Sequence, residues 1–389
     1  GPTCAFKDYA LQMMPKLLVQ ARTMLSSTDT TVILVATSGD TGKAALEGYR
    51  DLEGIRIKVF YPTGGTSEIQ RLQMATQQGN NVEVYAVEGN FDAAQTGVKK
   101  VFADQAIGQL LKEKGVSLSS ANSINWGRLV PQIVYYFYSY SQLVKQGVIA
   151  LGNPVDFCVP TGNFGDILAG WYAKQMGLPV GKLICASNKN NVLSEFFATG
   201  VYNAKREFFK TTSPSMDILI SSNLERLLYH VSGGNDTLVA ELMDSLAKTG
   251  SYTLPKDLLE KIQQDFAAGW ADDQQAADEI KHRWDTDGYL CDPHTAVAFR
   301  VAEQTTHTKD APCVVLSTAS PYKFPMAVLQ ALGCPVPQQD FEALRQLETF
   351  SGVQAPTQLK ELEQKPQRFS KVISPSDIVK AATEEISAL

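Results

Sequence analysis

Histidine and cysteine are scarce in this chain of 389 residues. The four histidines (His230, His282, His294, His307) have neither cysteine nor a carboxylate pair at metal-ligand spacing, which argues against a metal centre. The six cysteines (Cys4, Cys158, Cys185, Cys291, Cys313, Cys334) lack paired spacing. Cys158, Cys185 and Cys313 lie in apolar runs, where a free thiol acts as a small hydrophobe. That pattern points to a reducing, cytoplasmic setting rather than a disulfide framework. There is no G-x-S-x-G elbow for a serine hydrolase, no G-x-G-x-x-G and no G-K-[ST] loop. No apolar run approaches the roughly 20 residues that span a bilayer, and no signal-peptide pattern opens the sequence. The net charge of −6, with no basic stripe interleaved with aromatics, leaves no footprint for nucleic acid. Neither nucleic acid nor a membrane is expected as a partner.

What is present reads as a globular α/β protein, 44% hydrophobic and 20% charged. The length predicts two domains, or one large domain with an insertion. Buried-strand runs at Thr31–Ala36, Arg56–Tyr61 (stopped by Pro62) and Val82–Val87 alternate with helical stretches at Gly42–Tyr49, Ser67–Gln77 and Phe91–Phe102. Strand runs return at Val155–Val159, Leu183–Ala186 and Val314–Leu316. This rhythm implies two open parallel-sheet units with helical crossovers. The polar stretch Lys112–Asn122 reads as strandless and marks the boundary between them. Residues 235–287 read as a helical, acidic surface elaboration. The tail, Gln338–Leu389, shows a mixed helical pattern.

Four segments could carry chemistry. Thr37-Ser38-Gly39-Asp40-Thr41-Gly42 joins a strand to a helix and suits a carboxylate or phosphate at a helix N-terminus, though an ordinary cap reads the same way. Pro160-Thr161-Gly162-Asn163-Phe164-Gly165-Asp166 follows a strand with two glycines and several donors, the makings of an anion-binding nest. Ala121-Asn122-Ser123-Ile124-Asn125-Trp126-Gly127-Arg128 enters a long apolar helix through Tyr140; its polar residues could cap that helix or meet a ligand, with Arg128 suited to an anion. The aromatic run Tyr135–Tyr138 reads as core. Ser317-Thr318-Ala319-Ser320-Pro321-Tyr322-Lys323 follows a strand, where a hydroxyl faces the ligand crevice of an α/β sheet, or else caps the next helix. Asp292-Pro293-His294 opens a helix, with His294 read as a structural residue. The opening residues Gly1-Pro2-Thr3-Cys4-Ala5-Phe6-Lys7-Asp8 set a lysine behind a short apolar stretch, where desolvation would favour its nucleophilic amine.

In this order, G-P-T-x-A-F-K-D, T-S-G-D-T-G, A-N-S-I-N, P-T-G-N-F-G-D, D-P-H-T-A-V-A and T-A-x-P-x-K-F together resemble threonine synthase, a pyridoxal-phosphate (PLP) enzyme of the fold type shared with the tryptophan synthase β-subunit. The resemblance covers the first 324 residues. It implies a fold of two α/β units with the cofactor in the cleft between them. The large domain would be residues 1–20 and 116–389, and the smaller one, 21–115, a lid. Lys7 would form the Schiff base. Gly162, Asn163, Phe164, Gly165 and Asp166 would surround the cofactor phosphate, Thr318 the ring nitrogen, and Asp40 the phenolic oxygen. Ser38, Gly39 and Thr41 would hold the substrate carboxylate. Asn122, Ser123, Asn125, Arg128 and Lys323 are candidates for the substrate phosphate.

The implied reaction converts O-phospho-L-homoserine and water to L-threonine and phosphate, by a monomer or homodimer acting as a carbon–oxygen lyase on phosphates. Two departures stand out. Ser320 replaces the histidine of T-A-H-P, and family members carry a long segment before the lysine motif, so a preceding region that packs on the large domain is expected. The alternatives are a sister PLP lyase (a hydroxyamino-acid dehydratase or amino-alcohol phospholyase), an inactive homologue, and a dinucleotide-binding oxidoreductase, the last disfavoured by the missing G-x-G-x-x-G.

Overall fold

A computed structural model describes residues 1–384. The chain divides into two compact units: Gly1–Pro131 with Tyr322–Met326 and Pro337–Leu389, and Gln132–Pro321 with Ala327–Val336. The span 21–115 lies wholly within the first unit.

The first unit is built on a parallel sheet of β1 (Thr30–Ala36), β2 (Ile55–Pro62), β3 (Val82–Val87) and β4 (Val116–Ser120). With the short strand Val372–Ile373 the order is Val372–Ile373, β3, β2, β1, β4. Side chains alternate across a strand, and both faces of this sheet are covered. Ile33 and Val35 of β1 pack with Leu11 and Met14 of helix α1 (Asp8–Met24) and with Ala44, Ala45 and Tyr49 of helix α2 (Asp40–Tyr49). Val32, Leu34 and Ala36 face the other way, onto Val98 and Val101 and onto Ile378 and Ala381 of the C-terminal helix. Each Val, Leu or Ile among them, when fully buried, contributes about 1.5–3 kcal/mol of transfer free energy.

Two expectations fail in this unit. The Lys112–Asn122 stretch contains a strand, β4, whose serines hid it: paired at the sheet edge, they need no apolar face, and Ser117 Oγ lies 3.1 Å from Thr31 Oγ1. The tail is more than helical, since Val372–Ile373 pairs with β3 and helix Ile378–Thr383 covers one face of the sheet. A fully buried lysine on β2 ties it down. Lys58 Nζ donates to Ala381 O (2.9 Å) and Glu384 O (2.7 Å) and lies 3.2 Å from Glu83. An ammonium at those terminal carbonyls complements the negative end of the helix. Two boundaries also move slightly: β2 runs through Pro62, and α2 begins at Asp40.

The second unit holds a parallel sheet in the order Cys313–Val315, β5 (Val155–Pro160), β6 (Val180–Ser187), Phe266–Trp270. Residues 235–287 were expected to be a surface elaboration, yet Phe266–Trp270 is a strand of this sheet. Its Ala-Ala-Gly centre carries no β-branched signal. Gly269 is needed for close packing: a Cβ there would lie 2.9 Å from Val301 Cγ1. The expected long helix through Tyr140 is broken at Pro131 into Trp126–Leu129, a 3₁₀ turn, and Ile133–Lys145. Of the aromatic run, Tyr136 is core, while Phe137 and Tyr138 are exposed. No helix among the described residues is long and apolar enough to cross a membrane.

Candidate active site

In the first unit, β1 and β4 are adjacent and parallel, so the segments leaving their C-terminal ends share one edge of the sheet. One is Thr37–Gly42. Buried Thr37 shapes it: its Oγ1 accepts from the N–H groups of Gly39 and Gly42, each at 2.9 Å. Gly39 has φ 138°, open only to glycine, and a Cβ there would meet the Gln70 amide at 2.8 Å. Asp40 therefore opens α2 with a buried carboxylate.

Lys323, fully buried, donates from Nζ to Asp40 Oδ1 at 2.8 Å, and Gln70 Nε2 donates to the same oxygen at 2.9 Å. Burial alone would push this carboxyl up. The Lys323 ammonium, then that of Lys7, and the hydrogen bonds from Lys323 and Gln70 outweigh it, holding Asp40 well below the usual carboxylate range. The structure thus brings Lys7, Asp40 and Lys323 into one electrostatic group.

The second segment, after β4, leans on the first. Asn122 Nδ2 donates to Ala36 O (2.9 Å), and Arg128 donates to Ala121 O (3.0 Å) and Thr41 Oγ1 (3.2 Å). Asn125 caps helix Trp126–Leu129 through Gly127 N–H (3.0 Å) and donates to Ser120 O (3.1 Å). Ser123 is buried and Ser38 half-buried.

Lys7 is half-buried at the N-cap position of α1. The loop before it is pinned by Asp8, whose carboxylate accepts from Thr3 N–H (2.9 Å), the Thr3 hydroxyl and Ala5 N–H (3.4 Å). Gln73 Nε2 donates to Thr3 O at 3.1 Å.

In the second unit β5 runs into the glycine turn, and the neighbouring strand Cys313–Val315 runs parallel to it into Thr318. The nest and half-buried Thr318 therefore leave the same edge of this sheet. Phe164 takes φ 66°, left-handed and costly for an aromatic residue. Its ring is fully buried near Phe197 (5.9 Å) and Phe266 (5.8 Å), which holds the backbone there. The turn opens helix Gly165–Gln175, whose first N–H groups lack intrahelical acceptors. Tyr136 Oη donates to Asp166 O at 2.6 Å and Asp166 Oδ1 accepts from Ile167 N–H at 2.9 Å. A glycine turn of backbone donors at a helix N-terminus fits a phosphate ester. Gly162→Ala should lose PLP affinity by about tenfold or more, because the new Cβ would lie 2.7 Å from the backbone oxygen of Ser215; a titration of the apoprotein with PLP measures it.

Gln70 and the segment 213–223 escaped the sequence reading, and Thr37 and Asp8 were read within their motifs without the structural roles they take here. The capping box Ser67-x-x-Gln70 marked a helix start, but nothing in it reveals that Gln70 also serves Asp40.

The fold is that of the pyridoxal-phosphate-dependent α/β enzymes. The family model described as pyridoxal-phosphate dependent enzyme matches residues 1–319, and that for the C-terminal part of threonine synthase matches 295–383. The chain belongs to the threonine synthase family. It is 43% identical over 331 residues to threonine synthase of Pseudomonas aeruginosa, covering 85% of this chain and 68% of that one. Human threonine synthase-like 1 is 45% identical over 339 residues, 85% of this chain, and the chain spans only 45% of that protein's length. PLP-bound threonine synthase from Brucella melitensis superposes with a TM-score of 0.84 at 38% identity, over 98% of this chain and 76% of that one.

Proposed function

We propose that the chain catalyses the threonine synthase reaction, in which O-phospho-L-homoserine and water give L-threonine and phosphate. The observation that carries this is the coexistence of Lys7 beside an ionised Asp40–Lys323 pair with a glycine turn suited to a phosphate ester. PLP, when bound, supplies a sink for electrons released at carbon. Lys7 carries the amine that would hold the aldehyde and would then move protons at Cα and Cβ of the substrate. Gly162 to Gly165 offer backbone donors to the cofactor phosphate. Thr318 would meet the ring nitrogen with a hydroxyl, a neutral partner that would leave that nitrogen largely unprotonated. Thr41 and Ser38 would hold the substrate carboxylate. Arg128 sits next to Thr41 at the same sheet edge and would contribute positive charge toward the leaving phosphate.

The proton taken from Cβ would be delivered to Cγ once the γ-phosphate has left, water would then add its oxygen at Cβ and give its proton to the departing phosphate, and Lys7 would return a proton to Cα. The expected result is stoichiometric phosphate and threonine from phosphohomoserine, measured by coupled phosphate release and amino-acid analysis. Turnover of threonine or phosphoethanolamine in its place would establish a sister lyase instead. A second reading, a homologue with a different or lost activity, is favoured by the mammalian threonine synthase-like 1 relatives and gives PLP binding without phosphate release.

A further inference from the structure

The glycine turn of the second unit does not hold its own shape. It rests on segment 213–223, which approaches it at two points. A Cβ on Gly162 would sit 2.7 Å from Ser215 O and 3.3 Å from Met216 Cα, so the two backbones are already in contact. Asn223 Nδ2 donates to Asn163 O at 2.9 Å, and Ser222 Oγ lies 3.1 Å from Asn163 Oδ1. The segment is anchored in turn at Ser213, whose Oγ accepts from Asn188 Nδ2 at 3.0 Å, and at Asp217, whose Oδ1 accepts from Asn188 Nδ2 at 2.8 Å.

Between these anchors the backbone at Ser215 is fixed by one side chain from elsewhere: Ser215 N–H donates to His294 Nε2 at 3.2 Å. His294 is almost wholly buried, and its other nitrogen, Nδ1, lies 2.7 Å from Asp292 Oδ1. Asp292 is itself locked, accepting from His294 N–H (2.9 Å) and the Thr295 hydroxyl. A carboxylate facing Nδ1 and an amide N–H facing Nε2 are both satisfied by one state of the ring, with the proton on Nδ1 and the lone pair on Nε2.

We propose that His294 is a positioning residue for the phosphate-binding turn, acting through Ser215 on Gly162 and Asn163. The proposal rests on the reading of that turn as the cofactor-phosphate site. Asp292 orients the ring, the ring fixes the Ser215 amide, and the Ser215 and Met216 backbone forms the wall against which Gly162 packs. The absence of a side chain at Gly162 is thereby explained by the wall behind the turn as well as by the ligand before it. His294 touches neither cofactor nor substrate in this scheme.

Two substitutions of similar polarity separate this role from simple core packing. In His294→Gln the side-chain amide reaches the Nε2 position and can still accept from Ser215. In His294→Asn it reaches only the Nδ1 position, keeping Asp292 and losing Ser215. The full chain is titrated with PLP and, separately, with pyridoxal, which lacks the phosphate; the ³¹P resonance of bound PLP is recorded for each variant. The expected result is a loss of PLP affinity of about tenfold in His294→Asn, a shifted ³¹P resonance, and unchanged pyridoxal binding. His294→Gln should stay within about threefold of wild type for both ligands. Equal PLP affinity in His294→Asn and wild type would overturn the proposal, as would an equal loss of PLP and pyridoxal or an equal effect of the two substitutions. A wild-type protein that binds pyridoxal but gains nothing from the phosphate would remove the underlying reading of the turn, and the role of His294 with it.

Discussion

Lys7→Ala is expected to abolish the visible absorption band of the PLP-loaded protein and to reduce turnover by about a thousandfold or more, while leaving the fold intact. The two halves of this expectation come from different parts of the structure. Other groups hold the loop: Asp8 holds Thr3 and Ala5, Gln73 holds Thr3 O, and Cys4 takes the left-handed φ of 57° within that frame. Removing a half-buried side chain from the N-cap position of α1 should therefore shift the melting temperature little. The chemistry, by contrast, has no substitute amine in the same role, because Lys323 is committed to Asp40. Lys7→Arg gives the control, keeping positive charge toward Asp40 but unable to condense with an aldehyde. A Lys7→Ala protein that retained the visible band would sink the assignment.

The second large effect concerns the Asp40–Lys323 pair. Asp40→Asn leaves the Lys323 ammonium fully buried with only a neutral amide oxygen beside it, and a broken buried ion pair typically costs about 3–5 kcal/mol. Urea unfolding at pH 7 should show a loss of that order. The double variant Asp40→Leu with Lys323→Met should recover much of it, since replacing both charges by apolar groups removes the uncompensated one. The pH dependence follows from the sign of the Asp40 shift. Its folded-state pKa is depressed below the unfolded value of about 3.9, chiefly because Lys323 and Lys7 overcome the effect of burial. The unfolded state then binds more protons in acid, so the contribution is fully present above about pH 4–5 and is drawn down as pH falls toward the folded value. The stability gap between wild type and Asp40→Asn should accordingly narrow below pH 4. A gap that stayed constant into strong acid would show that folding does not depress the Asp40 pKa.

How much of this could be read from residues alone varied with the physics of each element. The runs Thr31–Ala36 and Val82–Val87 were legible because strands buried on both faces must be apolar throughout, and the structure places strands at Thr30–Ala36 and Val82–Val87. β4 was not, because three of its five residues are serine and only Val116 and Leu118 face the core, too short an alternation to mark a strand. Phe266–Trp270 was hidden by small residues whose value lies in letting Val301 approach. The candidate site divides similarly. Glycine turns after strands are local patterns, so Thr37–Gly42 and Pro160–Asp166 were visible in the sequence. The groups that hold them come from far along the chain: Gln70 and Lys323 for the first, Asn223 and Ser215 for the second. Lys323 had been read as a contact for substrate phosphate, and its pairing with Asp40 is information that only three dimensions contain.

The strand Val372–Ile373 and the helix behind it also bear on how the molecule is made. Until they arrive, β3 presents an unpaired edge, and the face carrying Val32, Leu34 and Phe60 lacks its cover of Ile378, Ala381 and Ala382. On the ribosome, the rest of the first sheet emerges and the entire second unit is synthesised before that cover exists. An open edge beside an apolar face is the pattern that recruits another strand from a neighbouring chain. Lys58 lies on the face that this cover buries, 3.2 Å from Glu83 in the finished fold. In the finished fold the Lys58 ammonium fastens the tail across that face, and a charge at such a position is of the kind that opposes strand pairing between chains while the face is uncovered.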